Sequence, residues 1–540
     1  MIQPQAVLKD PASSGPGKLA AHIARLTFIG LAMQAIYLLY MVAFPLVSNT
    51  QKGGPAADLE ILMRDQRWFA PIYVAGILLL YYLFWKALRW AQDLPGAAFQ
   101  SSDAFHRYSK LLVLAFGLMF GLTLVWLYPI TANDLFRYVL RGRIWAVYGQ
   151  SPMLAPPNNF PNDPYLAFAG EFGNWVSGYG PLWEILVQIP LRLGATDMVP
   201  GAVSLKLLVL LAYLACAVLL GWFAGPRRAP GGDRERASLL ALIFFAWNPL
   251  ILMQGPGNGH NDMVFLAFMV AGIILWQRGR WWWAAANLTL AALVKATGLL
   301  MLPLFGMVLL RDEPAWRGRV LKGLAAIFTG LALAGLYYAA VGPVPQVFRG
   351  VFDMLTTRRG FAIADGLRMA LREIIPRQAA ETVPATTGRY IFLIFYAGLV
   401  IQLWRGKLNL VGAGFLAYFS QIMLGRTFRI WYPTWLVPLA ALHLASSTSW
   451  RTLLFGLTAE LSIVNYFVVW RWWLRDLPAE VLGPLSQYWN YWTVMHTLTV
   501  PWLFGIPLLG PILMKWRQRS VHSPIIFTST RLRRPPSNSP

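Results

Sequence analysis

Hydrophobic runs of about 20 residues recur along this chain, the length that a hydrocarbon core of roughly 30 Å demands of a helix. They fall near 24–46, 69–88, 110–130, 203–224, 237–254, 261–277, 320–341, 389–404, 408–424, 430–447, 452–471 and 497–515. Two further regions are ambiguous: 181–195 is short for a span, and 282–311 reads as one long helix or two short ones. The pattern predicts an all-α, polytopic transmembrane helical bundle of about 13 to 15 spans. A β-barrel is excluded, because its strands are short and alternate polar with apolar positions.

The polar intervals between runs set an orientation, since Lys and Arg collect on the cytoplasmic side. Lys9, Lys18 and Arg25 place the N-terminal segment (1–23) inside, and Lys515, Arg517, Arg519, Arg531, Arg533 and Arg534 do the same for the C-terminal end. The membrane part is then 24–515, with long outer loops at 131–180, 342–388 and 472–496, some carrying short interfacial helices. The Ser- and Pro-rich basic tail, 516–540, is expected to be disordered. One conflict stands: if 181–195 spans, the Arg-rich loop 225–236 falls outside, against the charge rule.

Composition agrees with the pattern, at 57% hydrophobic and 13% charged over 540 residues. The net charge of +23 is spread over many short loops, with no basic stripe interleaved with stacking aromatics, so nucleic acid is rejected as a partner. Many of the 25 Trp residues lie near run ends, as in Trp281-Trp282-Trp283, where interfacial belts account for them. Cys216 stands alone, which excludes intrachain disulfides and cysteine-based metal sites. The first 20 residues lack a cleavable signal pattern, so the first run is read as a retained span.

Candidate chemistry concentrates where the third run ends, in "NDLFRYVLRGRIWAVYGQSPM", Asn133 to Met153. Asp134, Tyr138, Arg141 and Trp145 share one helical face. Two readings fit. Asn133 or Asp134 is a helix cap, with Arg137, Arg141 and Arg143 seating an amphipathic helix at the interface. Alternatively the stretch is a site. Acids are scarce, 23 in all, yet Asp134, Asp163, Glu171 and Glu184 gather on or beside this one loop, which continues rich in Pro and Asn and re-enters through "SGYGPLWEI". Ionisable groups at a membrane boundary are costly and usually functional.

A span that delivers an Asp to a long outer loop, then a Pro-containing re-entry, resembles the GT-C superfamily of integral-membrane glycosyltransferases. Within it the chain resembles the bacterial polyprenyl-phosphomannose-dependent α-mannosyltransferases. The stretches that carry the likeness are the one just quoted, "YGPLW", "NPLILMQGPGNGHNDMV" (248–264), "LVKATGLLMLP" (293–303) and "RIWYPTWLVPLA" (429–440). The resemblance implies a GT-C-like fold in a bacterial plasma membrane. It also implies an inverting transfer of a sugar, with mannose expected, from a polyprenyl-phosphate donor to a glycan or glycolipid hydroxyl on the extracytoplasmic face.

Carried onto this sequence, the superfamily's first-loop acid is Asp134, expected to be the general base. Asn133, Arg137, Tyr138, Tyr179 and Glu184 are expected to contact substrate, together with Asn258, His260, Asn261 and Asp262 of the Gly-rich turn and Tyr432 and Trp435. Arg426, Arg429, Arg358, Arg359 and Lys295 are the candidates for the donor phosphate, since guanidinium forks suit phosphate oxygens. The bland alternatives are that these cations anchor the interface, that the turn's Gly and Asn only turn the chain, and that Glu460 pairs with a neighbouring helix. No cofactor is assigned. A divalent metal stays open, because some relatives use paired acids where this chain has Asn133-Asp134, and Asp163 or Glu171 would have to complete the site. The competing functions are a transporter or flippase of lipid-linked sugars, for which the expected internal repeat is missing, and a lipid-linked polysaccharide ligase or polymerase.

Overall fold

Every regular element among the described residues of the computed structural model is helical. Those residues are 16–51, 69–94, 103–223, 231–347, 360–444 and 446–520. Arg358 and Arg359 lie outside them, as do most of the expected N-terminal segment and tail.

Among the described residues, eight helices are long and apolar enough to cross a membrane: Leu19–Ala43, Ala70–Asp93, Ala104–Val125, Met198–Phe223, Trp316–Val341, Arg377–Trp404, Ser447–Leu474 and Tyr491–Leu513. A ninth candidate is the bent pair Arg234–Ala246 and Pro249–Gly257, kinked by 48°. The chain is a multi-pass membrane protein. The span count read from hydropathy differs because several apolar runs form shorter helices: Asp262–Gln277, Trp281–Val294, Ala296–Arg311 and Leu410–Leu424. The run at 430–447 is not one helix. It is a 3₁₀ turn, Tyr432–Trp435, followed by the eight-residue helix Leu436–His443, with Pro433 and Pro438 each removing a backbone donor. The ambiguous 181–195 folds as Pro181–Arg192, 12 residues and so about 18 Å long, too short to cross.

The kink at residue 248 has a local cause. Asn248 caps the second segment by accepting from the Leu250 N–H at 3.1 Å, and Pro249 starts the new helix without needing a donor. The segment then widens into a π-type turn, Met253–Gly257, and the following Asn258–Asn261 turn is wholly buried. Asp103–Val125 and Met198–Phe223 pack against the π-type turn, and the loop helix Asp134–Tyr148 meets the turn that follows at Gly259 and His260. The Pro181–Arg192 helix packs on the loop helix and on Trp281–Val294, so the "YGPLW" re-entry and the "LVKATG" break lie side by side.

Candidate active site

The approach to Asp134 is held from two sides. Lys206, buried in the Met198–Phe223 helix, donates to the Leu124 carbonyl at 3.1 Å and to that of Leu127. An amine at a helix C-terminus satisfies carbonyls that the last turn leaves without a partner. Backbone bonds of 2.8 Å from Leu46 to Trp126 and from Tyr128 to Phe44 pin the exit against the first helix. An irregular stretch then leads to Asp134, the first residue of the loop helix, which Gly149 ends in the left-handed region at φ 68°.

This helix is not an interfacial collar. Every residue from Asp134 to Ile144 is buried, the three arginines included. Arg143 donates two N–H groups to Asp163 at 3.1 and 3.2 Å and one to the Thr196 carbonyl at 2.5 Å. Tyr148 adds a hydroxyl to Asp163 at 2.9 Å. Arg137 pairs with Asp134 at 2.8 Å, donates to Asn133 and lies 4.1 Å from the Phe172 ring centre. Asn133 occupies the cap position, but its side chain caps no amide. An amphipathic helix on a membrane surface would leave these guanidiniums in water. Here the loop residues around 160–197 cover them.

The Gly-rich turn arrives against the same helix. Gly259 has φ 73°, and a Cβ there would come within 2.8 Å of Leu135, so only glycine lets the turn approach so closely. Nδ1 of His260 then lies 3.8 Å from Oδ2 of Asp134, beyond hydrogen-bond range. The His260 ring stacks on Trp431 with centres 4.0 Å apart. Burial pushes the imidazole down to about 4, outweighing the opposing pull of Asp134 and Asp262, so it is neutral at pH 7. Both its ring nitrogens lack hydrogen-bond partners, and so do both amide atoms of the fully buried Asn261.

Asp262, fully buried, accepts from Lys295 at 2.7 and 2.8 Å and from the Trp435 indole at 2.5 Å. Lys295 reaches it because the chain is extended at φ −149°, ψ 128°, between Trp281–Val294 and the turn that follows. Gly180 donates to the Val294 carbonyl at 3.1 Å, and any Cβ at Gly180 would stand 1.9 Å from the Leu293 oxygen. That contact brings Tyr179 beside Lys295. Tyr138 packs edge-on to Tyr179 with ring centres 5.0 Å apart. Burial, then the neighbouring Tyr179 and Asp134, holds the Tyr138 hydroxyl well above its ordinary range. Tyr432 stacks on Trp435 at 4.4 Å and lies 5.9 Å from the Lys295 ammonium.

Nine of the residues expected from sequence therefore meet: Asp134, Arg137, Tyr138, Tyr179, His260, Asp262, Lys295, Tyr432 and Trp435. Others stand apart. Asn258 is spent on the framework, accepting from the Ile130 N–H at 2.9 Å. Glu184 accepts from Ser177 at 2.5 Å, and burial raises its carboxyl against the pull of Ser177 and Arg141. Arg426 lines a small cavity with Asp365, Arg368 and Glu381. Arg429 is half-buried just before Trp431. Asp163 is committed to Arg143 and Glu171 is exposed. Among the described residues no three His, Cys, Asp or Glu side chains gather as metal ligands would. Sequence reasoning missed Trp431 and Lys206. The second was visible as the one charge inside the 203–224 run.

Residues 28–311 match the family described as "Alpha-(1->6)-mannopyranosyltransferase, N-terminal domain". The chain is 28% identical over 287 residues to Alpha-(1->6)-mannopyranosyltransferase A of Mycobacterium tuberculosis, a stretch covering 52% of each protein. It is 23% identical over 485 residues to Alpha-(1->6)-mannopyranosyltransferase B of Corynebacterium glutamicum, covering 82% of this chain and 75% of that protein. The chain thus spans about half the length of the first relative, and the family match, 28–311, contains Asp134, His260, Asp262 and Lys295.

Proposed function

Because this chain belongs to the alpha-(1→6)-mannopyranosyltransferase family, we propose that it moves a mannosyl residue from a polyprenyl-phosphate donor to a glycan hydroxyl, forming an α-(1→6) bond. The observation that carries the reading is the convergence of Asp134 with His260 and the Asp262–Lys295 pair, drawn from three separated stretches of sequence.

In this reading the acceptor oxygen attacks the anomeric carbon as the bond from that carbon to the phosphate oxygen breaks. Asp134 takes the hydroxyl proton while Arg137 holds the carboxylate in place. The departing polyprenyl phosphate gains charge, which the Lys295 ammonium and the arginines of the loop helix offset. Attack opposite the leaving group inverts the centre, so a β-linked donor yields an α-linked product. His260 and Asn261 offer unpaired hydrogen-bonding groups to sugar hydroxyls, and Trp431 and Tyr432 offer ring faces.

A bacterial plasma membrane and its outer face follow from the same reading. The charge rule supports it: with Pro181–Arg192 too short to cross, Met198–Phe223 would return the chain inside, which reconciles the Arg-rich sequence at 225–236 with a cytoplasmic side. The loop helix and the Asn258–Asn261 turn then share the opposite face.

Asp134→Asn tests the base. With a polyprenyl-phosphate mannose donor and a mannoside acceptor, the variant should lose about 10²–10⁴-fold in rate while still eluting as a folded protein, its melting point lowered because Arg137 loses its carboxylate. Wild-type turnover in the variant would sink the assignment. In reconstituted vesicles, sugar crossing the bilayer without a new glycosidic bond would favour a flippase instead.

A further inference from the structure

Glu460 lies within the Ser446–Val464 helix, fully buried, and no step of the proposed reaction uses it. Its two oxygens serve different parts of the fold. Oε2 accepts from the Tyr73 hydroxyl at 2.8 Å, and Oε1 accepts from Nε2 of Gln254 at 2.7 Å. The chain of bonds continues beyond Gln254. Its Oε1 accepts from Nδ2 of Asn258 at 2.9 Å, and Oδ1 of Asn258 accepts the backbone N–H of Ile130 at 2.9 Å. The Thr131 hydroxyl joins from the side, receiving Nε2 of Gln254 at 3.1 Å and Nδ2 of Asn258. The relay therefore runs from a buried acid to the irregular peptide that enters the loop helix at Asp134.

The relay has a direction. Both oxygens of Glu460 accept here, whereas a primary amide accepts at its oxygen and donates at its nitrogen. Facing Glu460, Gln254 must present its NH₂ to the acid and its carbonyl to Asn258. Asn258 must in turn present its NH₂ to Gln254, which leaves its carbonyl for Ile130. Turning either amide over would oppose two donors or two acceptors in a buried setting, where unmade bonds are costly. We propose that Glu460 is a positioning residue: as the acceptor-only end of the relay it sets the orientation of Gln254 and Asn258, and through them the entry of the segment that presents Asp134. Its bearing on turnover rests on Asp134 being the base. The relay itself does not.

The test is a polarity swap with two readouts. Glu460→Gln leaves one carbonyl for two donors, the Tyr73 hydroxyl and Nε2 of Gln254, and so weakens the acceptor end of the relay. Deuterium exchange of a peptide covering 126–134 should quicken, and kcat should fall about 10- to 100-fold with KM for the polyprenyl-phosphate mannose donor within about twofold. Adding Gln254→Glu moves the acid one step along. The amide introduced at position 460 then donates to the carboxylate introduced at position 254, and its carbonyl accepts from Tyr73. That carboxylate in turn accepts from Asn258, whose orientation is kept. The double variant should regain slow exchange and most of the lost rate. Parental exchange in the single variant overturns the relay, as does a double variant no better than the single. Where the single variant cannot be purified folded, recovery of folded protein by Gln254→Glu supports the proposal and equal failure of the pair overturns it. Restored exchange alongside an Asp134→Asn enzyme that still transfers sugar would fault the base assignment and leave the relay standing.

Discussion

Acidification should weaken this protein through His260, by an amount that follows from its burial. The ring is depressed from its ordinary 6.5 to about 4, with burial as the largest cause. Above 6.5 neither the native nor the unfolded chain holds the extra proton, and the native state keeps its full stability. As pH falls below 6.5 the unfolded chain binds a proton that the native site refuses, so stability is lost progressively until about 4. Over that window the linkage is worth about 3 kcal/mol. Other groups titrate there too, so the measurement is a difference. Melting temperatures of the detergent-solubilised parent and a His260→Gln variant are compared between pH 7 and pH 4.5. The parent's advantage should shrink on acidification by about 2–3 °C, from the size scaling of melting entropies. Parallel pH profiles would refute the reasoning, because they would mean that His260 titrates alike folded and unfolded. Asp134→Asn removes an attraction that favours the charged ring, so it should deepen the depression and steepen the acid loss.

Three further substitutions test the assembly of the site. Gly180→Ala drives a Cβ to 1.9 Å from a backbone oxygen that cannot rotate away. It should cost about 3 kcal/mol or more and depress turnover, and a parental melting temperature would contradict the close approach. Arg143→Met leaves Asp163 buried without its cation and should destabilise by about 3–5 kcal/mol. Asp163→Asn in the same chain should recover part of that, read as a double-mutant cycle on melting temperature. Lys295→Met strands Asp262 in the same way and should abolish sugar transfer. Adding Asp262→Asn should restore melting temperature but not activity, and restored activity would remove Lys295 from the phosphate role.

The resemblance to GT-C mannosyltransferases and the polytopic helical fold were both legible in the sequence, and the family match and the helices bear them out. Hydropathy is a property of local sequence, and the bilayer turns the length of an apolar run directly into a helix. Stretches with unusual chemistry were also visible as stretches: Asp134 at a run's end, the Gly-rich turn, Lys295 inside an apolar segment and the aromatic run at 431–435.

What each polar side chain does was not visible, because that depends on which partner the packing brings within about 3 Å. Asp163 looked free to join a site and is locked to Arg143, while Asn258 looked like a substrate contact and is spent on Ile130. The loop helix has the charge pattern of an interfacial collar, yet it is buried because later loop residues fold over it. Hydropathy overstated the regularity of 430–447, since it does not register the two prolines that break the run. The sequence by itself determined a multi-pass helical membrane protein of this family and the stretches that hold its chemistry. Only the tertiary structure decided that four of those stretches meet at Asp134, because burial and pairing are settled by contacts between residues far apart in the chain.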